Sequence, residues 1–172
     1  FMNGTGSYSF TSSDYFAYMF RRTPGFFDLA TYTGTASLSG VNHNLGVTPE
    51  LKIIKSRSHA SDWVVGGSAV AGENGYLFLD STAATVSSTN YWDGGDDSAT
   101  QFSVRNTNAA SDSSGRTYVA YLFASLSGIS KVGSYTGTGG NIDVNCGFAA
   151  GARFILIKRT DSTGDWYVWD TS

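Results

Sequence analysis

The densest group of chemically capable side chains is the run Tyr91-Trp92-Asp93-Gly94-Gly95-Asp96-Asp97. Three carboxylates on a glycine-flexible loop offer the hard oxygen ligands that Ca²⁺ prefers, although their spacing is not that of an EF-hand. The competing reading is a solvated Asp/Gly turn, in which Asp93, Asp96 and Asp97 hold no metal. Tyr91 and Trp92 sit in a polar stretch. With Asp93 they are candidates for an exposed recognition pair, because function concentrates on loops carried by a rigid scaffold. Trp63, Trp92, Trp166 and Trp169, with Tyr91 and Tyr167, also admit a sugar-stacking platform, against the more frequent use of aromatics as core.

Acid–base and nucleophilic chemistry finds little support. His43 and His59 are the only histidines and read as loop residues. No nucleophile elbow, phosphate loop or His-Glu-x-x-His occurs. With 24 Ser in the chain, a Ser-His-Asp set can be drawn on paper anywhere and carries no information. No catalytic residue is assigned and no enzyme is expected. Cys146 is the sole cysteine, which excludes an internal disulfide framework and a multi-cysteine zinc site. It is expected as a small buried apolar residue. No cofactor is expected.

The elements that carry these residues follow from composition. The chain has 172 residues, 41% hydrophobic and only 15% charged, against a typical charged share of about 25%. Ser, Thr, Gly and aromatics fill the balance, while Glu, Lys and Gln together number seven. Helix bundles need those residues on their exposed faces, so the chain reads as all-β. Net charge is -3, with no basic cluster beyond Arg21-Arg22, so nucleic acid is not an expected partner. No apolar run approaches the ~20 residues of a membrane helix. Phe1-Met2-Asn3 carries no signal-peptide pattern. Because it does not begin with Met, the chain is expected to be processed or a piece of a longer one.

The sequence repeats itself. Displaced by 103 residues, positions 15–69 lie on 118–172 without a gap and with 16 identities in 55. Tyr15-Phe16-Ala17-Tyr18-Met19-Phe20 meets Tyr118-Val119-Ala120-Tyr121-Leu122-Phe123, and Tyr32-Thr33-Gly34-Thr35 meets Tyr135-Thr136-Gly137-Thr138. Asp62-Trp63-x-Val65 meets Asp165-Trp166-x-Val168. A unit of about 103 residues is too long for a solenoid or propeller repeat and has the size of an independent β-domain. The retained Trp63 and Trp166 are expected at equivalent, at least half-buried positions, each just after a tight turn. Tyr32 and Tyr135 are likewise repeat positions.

Strands are expected over Leu51–Lys55 into Trp63, and over Arg153–Arg159 into Trp166, as two hairpins with polar turns. Others are expected at Tyr76–Asp80, Gln101–Arg105, Leu29–Thr33 and its copy Val132–Thr136. Tyr118–Phe123 is continuously apolar and reads as a strand covered on both faces, with a short helix as the rival. Residues 81–100 and 106–116 read as loops. Residues 15–65 and 118–168 are expected to superpose as one set of strands.

The string Gly-Arg-Thr-Tyr-Val-Ala-Tyr-Leu-Phe-Ala at 115–124, with Gly128-Ile-Ser-Lys-Val-Gly-Ser-Tyr-Thr-Gly137, Gly147-Phe148 and Phe154-Ile-Leu-Ile-Lys-Arg-Thr-Asp161-x-x-Gly-Asp-Trp166, resembles a domain that recurs in tail fibres and other virion structural proteins of bacteriophages. The first copy is more diverged, with Arg21-Arg22-Thr23-Pro24 against Ala124-Ser125-Leu126-Ser127. The resemblance implies a virion protein of tail fibre, tail appendage or outer capsid, located in the extracellular particle. Its partners would be copies of itself and other virion proteins. The alternative is a carbohydrate- or receptor-binding module for a cell-surface glycan. A glycan depolymerase is a third reading and would need two carboxylates about 5–10 Å apart in a cleft.

The fold expected is an all-β, antiparallel, jelly-roll-like β-sandwich built from the duplicated unit. Residues 1–26 would be closing strands of one unit, 27–127 a complete domain and 128–172 opening strands of another. The incomplete ends are expected to close on each other, to be completed by a neighbouring copy, or to be completed by sequence outside this chain.

Overall fold

The computed structural model describes residues 18–92, 96–105 and 110–171. β-Branched and aromatic residues alternate with small polar ones, and the described chain is nearly all antiparallel β. Its strands are β1 (Phe27–Thr33), β2 (Ser39–Asn42), β3 (Leu51–Ser56), β4 (Val64–Gly67), β5 (Gly72–Phe78), β6 (Val86–Ser87), β7 (Gln101–Val104), β8 (Thr117–Phe123), β9 (Phe154–Lys158) and β10 (Trp166–Asp170). A single helical turn, α1 (Ser68–Ala71), links β4 to β5.

Six strands form one sheet in the order β1-β8-β3-β4-β5-β6, while β2 pairs with β7 and β9 with β10. β8 is an interior strand, paired to β1 over seven positions and to β3 over six. That placement explains its unbroken apolar run. Tyr118, Ala120 and Leu122 point into the core, and Val119, Tyr121 and Phe123 are partly covered on the other face. The core gathers Ala30, Ile54, Val64, Tyr118, Ala120 and Leu122 from the large sheet with Phe102 and Val104 from β7.

The two expected hairpins form in the same register. Lys52, Ile53 and Ile54 of β3 face Gly66, Val65 and Val64 of β4. Ile155, Leu156 and Ile157 of β9 face Trp169, Val168 and Tyr167 of β10. Each pair lies 103 residues beyond its counterpart. The turn before β1 recurs too. Thr23 N–H donates to the Phe27 carbonyl at 2.9 Å, and Leu126 N–H to the Ser130 carbonyl at 3.1 Å. Gly25 (φ 77°) and Gly128 (φ 73°) supply the left-handed residue in each.

The copies then diverge. β1 and β2 have no counterpart strand at residues 130–136 and 142–145, so the expected strand Val132–Thr136 is not formed. A strand needs a ladder partner. β1 has β8 and β2 has β7, but no described strand stands beside 130–136. Residues 15–17 of the first copy lie outside the described residues. Elsewhere the expectations shift by a few positions. The strand placed at Tyr76–Asp80 starts earlier, at Gly72, and the 81–100 loop contains the two-residue β6.

Tyr32 and Tyr135 show the same divergence. Tyr32 stacks on Tyr118 at 5.1 Å and 17°, and its hydroxyl donates to the Ser111 carbonyl. Tyr135 is exposed. Burial holds the Tyr32 hydroxyl well above its ordinary value of 10.0, with nearby Asp112 adding to the effect, and burial also raises Tyr118. The folded state therefore keeps protons that the unfolded chain gives up near pH 10. This contribution to stability is complete below pH 10 and is lost as pH rises through the raised folded values. Urea midpoints measured from pH 8 to 11 should fall, and Tyr32→Phe should flatten that fall.

Candidate functional site

The loop that carries the acidic cluster turns its aromatic rings inward. Trp92 is 0% exposed and Tyr91 is buried beside it, which corrects the expectation of an exposed Tyr91-Trp92 pair. The reason lies on distant strands. Gly66 of β4 has no side chain, and the Trp92 ring occupies the place where one would stand, 1.9 Å from a built Cβ. Trp92 Nε1–H donates to the Gly75 carbonyl at 3.1 Å. The Lys52 ammonium lies 4.9 Å from the ring centroid.

Lys52 also decides the chemistry of the acidic cluster. It is 2% exposed, and its Nζ meets Asp97 Oδ2 at 2.5 Å. The other oxygen, Asp97 Oδ1, accepts from Ser103 N–H at 2.8 Å and from Ser103 Oγ at 3.2 Å. Burial pushes the Lys52 ammonium below its ordinary value while Asp97 opposes the shift. Asp97 is thus satisfied by protein donors, Asp96 is exposed, and Asp93 lies outside the described residues. Among the described residues no group of three or more His, Cys, Asp or Glu is placed to hold a metal. The signal available in the sequence was Lys52, a lysine on the inner face of an apolar strand, which requires a buried carboxylate.

Both histidines lie outside the strands. Leu45 N–H donates to His43 Nδ1 at 3.1 Å, so Nε2 carries the ring proton and faces the Ser98 carbonyl at 3.2 Å. His59 is exposed in the β3–β4 turn. Cys146 is partly exposed rather than buried, because it falls in a stretch without strands.

Trp63 and Trp166 are both partly buried, each directly after its hairpin turn. The Trp63 ring stacks on Tyr121 at 6.2 Å under the Lys55 ammonium at 5.7 Å. Trp166 Nε1–H donates to the Phe78 carbonyl at 2.9 Å. With Gly164 N–H to the Thr82 carbonyl and Thr85 N–H to the Thr160 carbonyl, both 2.9 Å, it docks the β9–β10 turn against the end of β5.

The exposed aromatic site of the described chain lies on β10. Tyr167 and Trp169 are 51% and 53% exposed, and their rings stack at 5.6 Å and 19°. They occupy the positions of Val64 and Gly66. In the large sheet those positions face the core under Trp92, whereas in β10 Trp169 stands where Gly66 leaves space, and both rings meet solvent. Ile155 of β9 continues this face.

Around the hairpin end, Tyr18, Phe20, Arg153, Phe154 and Asp170 line an open cleft of about 330 Å³. Tyr18 Oη donates to Asp170 Oδ2 at 2.7 Å, and this bond raises the phenol above its ordinary value. The cleft sets apolar rings beside the charged Arg153 and Asp170, on the face of the hairpin opposite Tyr167 and Trp169.

A family model described as a domain of unknown function (DUF7483) matches residues 21–172. No curated protein and no solved structure matches the chain.

Proposed function

The chain belongs to the DUF7483 family, a domain of unknown function, and we propose that it is a virion structural protein of a bacteriophage. It builds a tail fibre, a tail appendage or an outer capsid part as a homo-oligomer in contact with other virion proteins. In this reading the antiparallel sheets form a jelly-roll-like sandwich assembled from the duplicated unit. The resemblance of residues 115–166 to phage structural domains supports it. The observation that carries it is the β9–β10 hairpin, which repeats β3–β4 in register yet leaves Ile155, Tyr167 and Trp169 uncovered. Exposed apolar strand faces and edges are covered in native proteins. A further copy that pairs along the β10 edge and packs on this face covers both. Sedimentation of the purified chain at micromolar concentration should give oligomers, and Trp169→Asp should shift them toward monomer. A wild-type chain that stays monomeric at every concentration, with no ordered assemblies by electron microscopy, refutes the reading.

The stacked Tyr167–Trp169 pair favours a second reading, a carbohydrate- or receptor-binding module. Such a pair offers flat faces to sugar C–H groups. Saturable quenching or enhancement of tryptophan fluorescence by a cell-surface glycan, lost in Trp169→Ala, would decide for it.

A further inference from the structure

In the large sheet, the edge of β3 that faces away from β4 is closed by β8. Arg57 N–H donates to the Thr117 carbonyl at 2.7 Å. By alternation, Leu51, Ile53 and Lys55 then aim their backbone groups at β8, with Ile53 opposite Tyr121. β9 repeats β3. Thr171 N–H donates to the Arg153 carbonyl at 3.1 Å, so Arg153, Ile155 and Ile157 face β10. Phe154, Leu156 and Lys158 therefore aim their N–H and C=O groups outward. Among the described residues β9 has a ladder only with β10.

The sequence contains a second stretch of the β8 type. Residues 15–20 repeat 118–123 with Tyr, Ala, Tyr and Phe identical at four of the six positions. The structure brings the end of that segment to β9. The Phe20 ring lies 5.9 Å from Phe154 and the Tyr18 ring 4.8 Å from it. Transferring the β8 register onto β9 puts Phe20 opposite Phe154, as Phe123 is opposite Leu51. It puts Tyr18 on the same face, one step along the diagonal. Those two ring contacts are observed, while residues 18–20 stand outside any ladder in the structure.

We propose that the segment ending at Phe20 is the third strand of the β9–β10 sheet, supplied by the same chain, with Tyr18 paired to Leu156 and Phe20 to Phe154. The Thr23–Phe27 turn tethers the segment beside Phe26, Phe27 and Phe123, whose rings lie 5.5–6.3 Å from Phe20. Tethering gives it an effective concentration that the same segment of a second copy does not match. This pairing closes β9 within the chain and leaves β10 as the edge of that sheet open to a further copy.

Residue-resolved amide exchange on the whole chain tests it. Phe154 and Leu156, whose N–H groups point outward, should exchange at least about tenfold more slowly than exposed loop amides. Tyr18→Pro removes a ladder donor and should return both to loop rates, while Ile155 and Ile157 keep the protection that β10 gives them. Loop-rate exchange at Phe154 and Leu156 in the unmodified protein overturns the proposal. Because the proline variant can fail to fold, a second arm uses Cys146→Ser with Tyr18→Cys and Leu156→Cys. Paired Cα atoms in such a ladder are about 5.5 Å apart, within disulfide reach. Oxidation should give a monomer lighter by two hydrogens, and Met19→Cys in place of Tyr18→Cys should not. A disulfide-linked dimer, or no disulfide, overturns it.

Discussion

Trp92→Ala is expected to cost about 3–5 kcal/mol, the range for emptying a buried aromatic site. The ring is fully buried, fills the gap over Gly66 and satisfies the Gly75 carbonyl. Removing it leaves a cavity in the middle of the core and an unpaired acceptor, which adds to the loss. Gly66→Ala attacks the same contact from the other side, because its new methyl must displace the ring, and should also be strongly destabilising. Trp169→Ala, at the position equivalent to Gly66 on the exposed hairpin, should cost less than about 1 kcal/mol in monomer stability. Urea denaturation followed by circular dichroism measures all three. Equal losses for Trp92→Ala and Trp169→Ala would mean that the β10 face is covered in solution.

Asp97→Ala is the second large effect, about 3–5 kcal/mol, since it strands a buried ammonium. Lys52→Met should also destabilise, though less than Asp97→Ala, because the Asp97 carboxylate it leaves behind is partly exposed and keeps its Ser103 donors; the double variant should recover most of the loss, because an apolar pair does not carry the desolvation penalty of two charges. The pH dependence has a definite sign. Burial lowers Lys52 and Asp97 restrains that shift, so Asp97→Ala lowers it further. The unfolded chain then binds more protons than the folded one below pH 10.5. The deficit of Asp97→Ala should therefore shrink as pH rises toward 10.5. A deficit that stays constant across that range would show that Lys52 is not the group left stranded.

Local pattern made some of this structure readable and long-range packing hid the rest. The Ile- and Leu-rich runs ending in polar turns mark both hairpins, and continuous apolar content marks β8 as a strand inside a sheet. Tyr91 and Trp92 mislead because their neighbours are polar. What draws them inward is Gly66, Gly75 and Lys52, at least 15 residues away in sequence, and no local signal carries that pairing. The repeat misleads in a different way at Val132–Thr136. It keeps the Tyr-Thr of β1 at the same register, but β1 is a strand by virtue of β8, and sequence similarity does not bring a partner. The exposed site was within reach. Tyr167 and Trp169 alternate onto one face by the period of two, and the replacement of Val64 and Gly66 by large rings signals a surface that no longer accepts Trp92.

The Thr23–Phe27 and Leu126–Ser130 turns lie next to each other, because β1 and β8 run antiparallel with Phe27 opposite Phe123. The Cβ that Gly25 lacks would stand 3.5 Å from Leu126. Entry to and exit from residues 27–123 are thus one doorway. A segment with that property can be cut out or inserted whole, with its neighbours rejoined across a gap of a few ångströms and no strand order disturbed. Recombination between the two matching stretches, at any of their 55 aligned positions, would change the number of such segments in steps of 103 residues. The length of the chain is then adjustable in whole steps by a single genetic event.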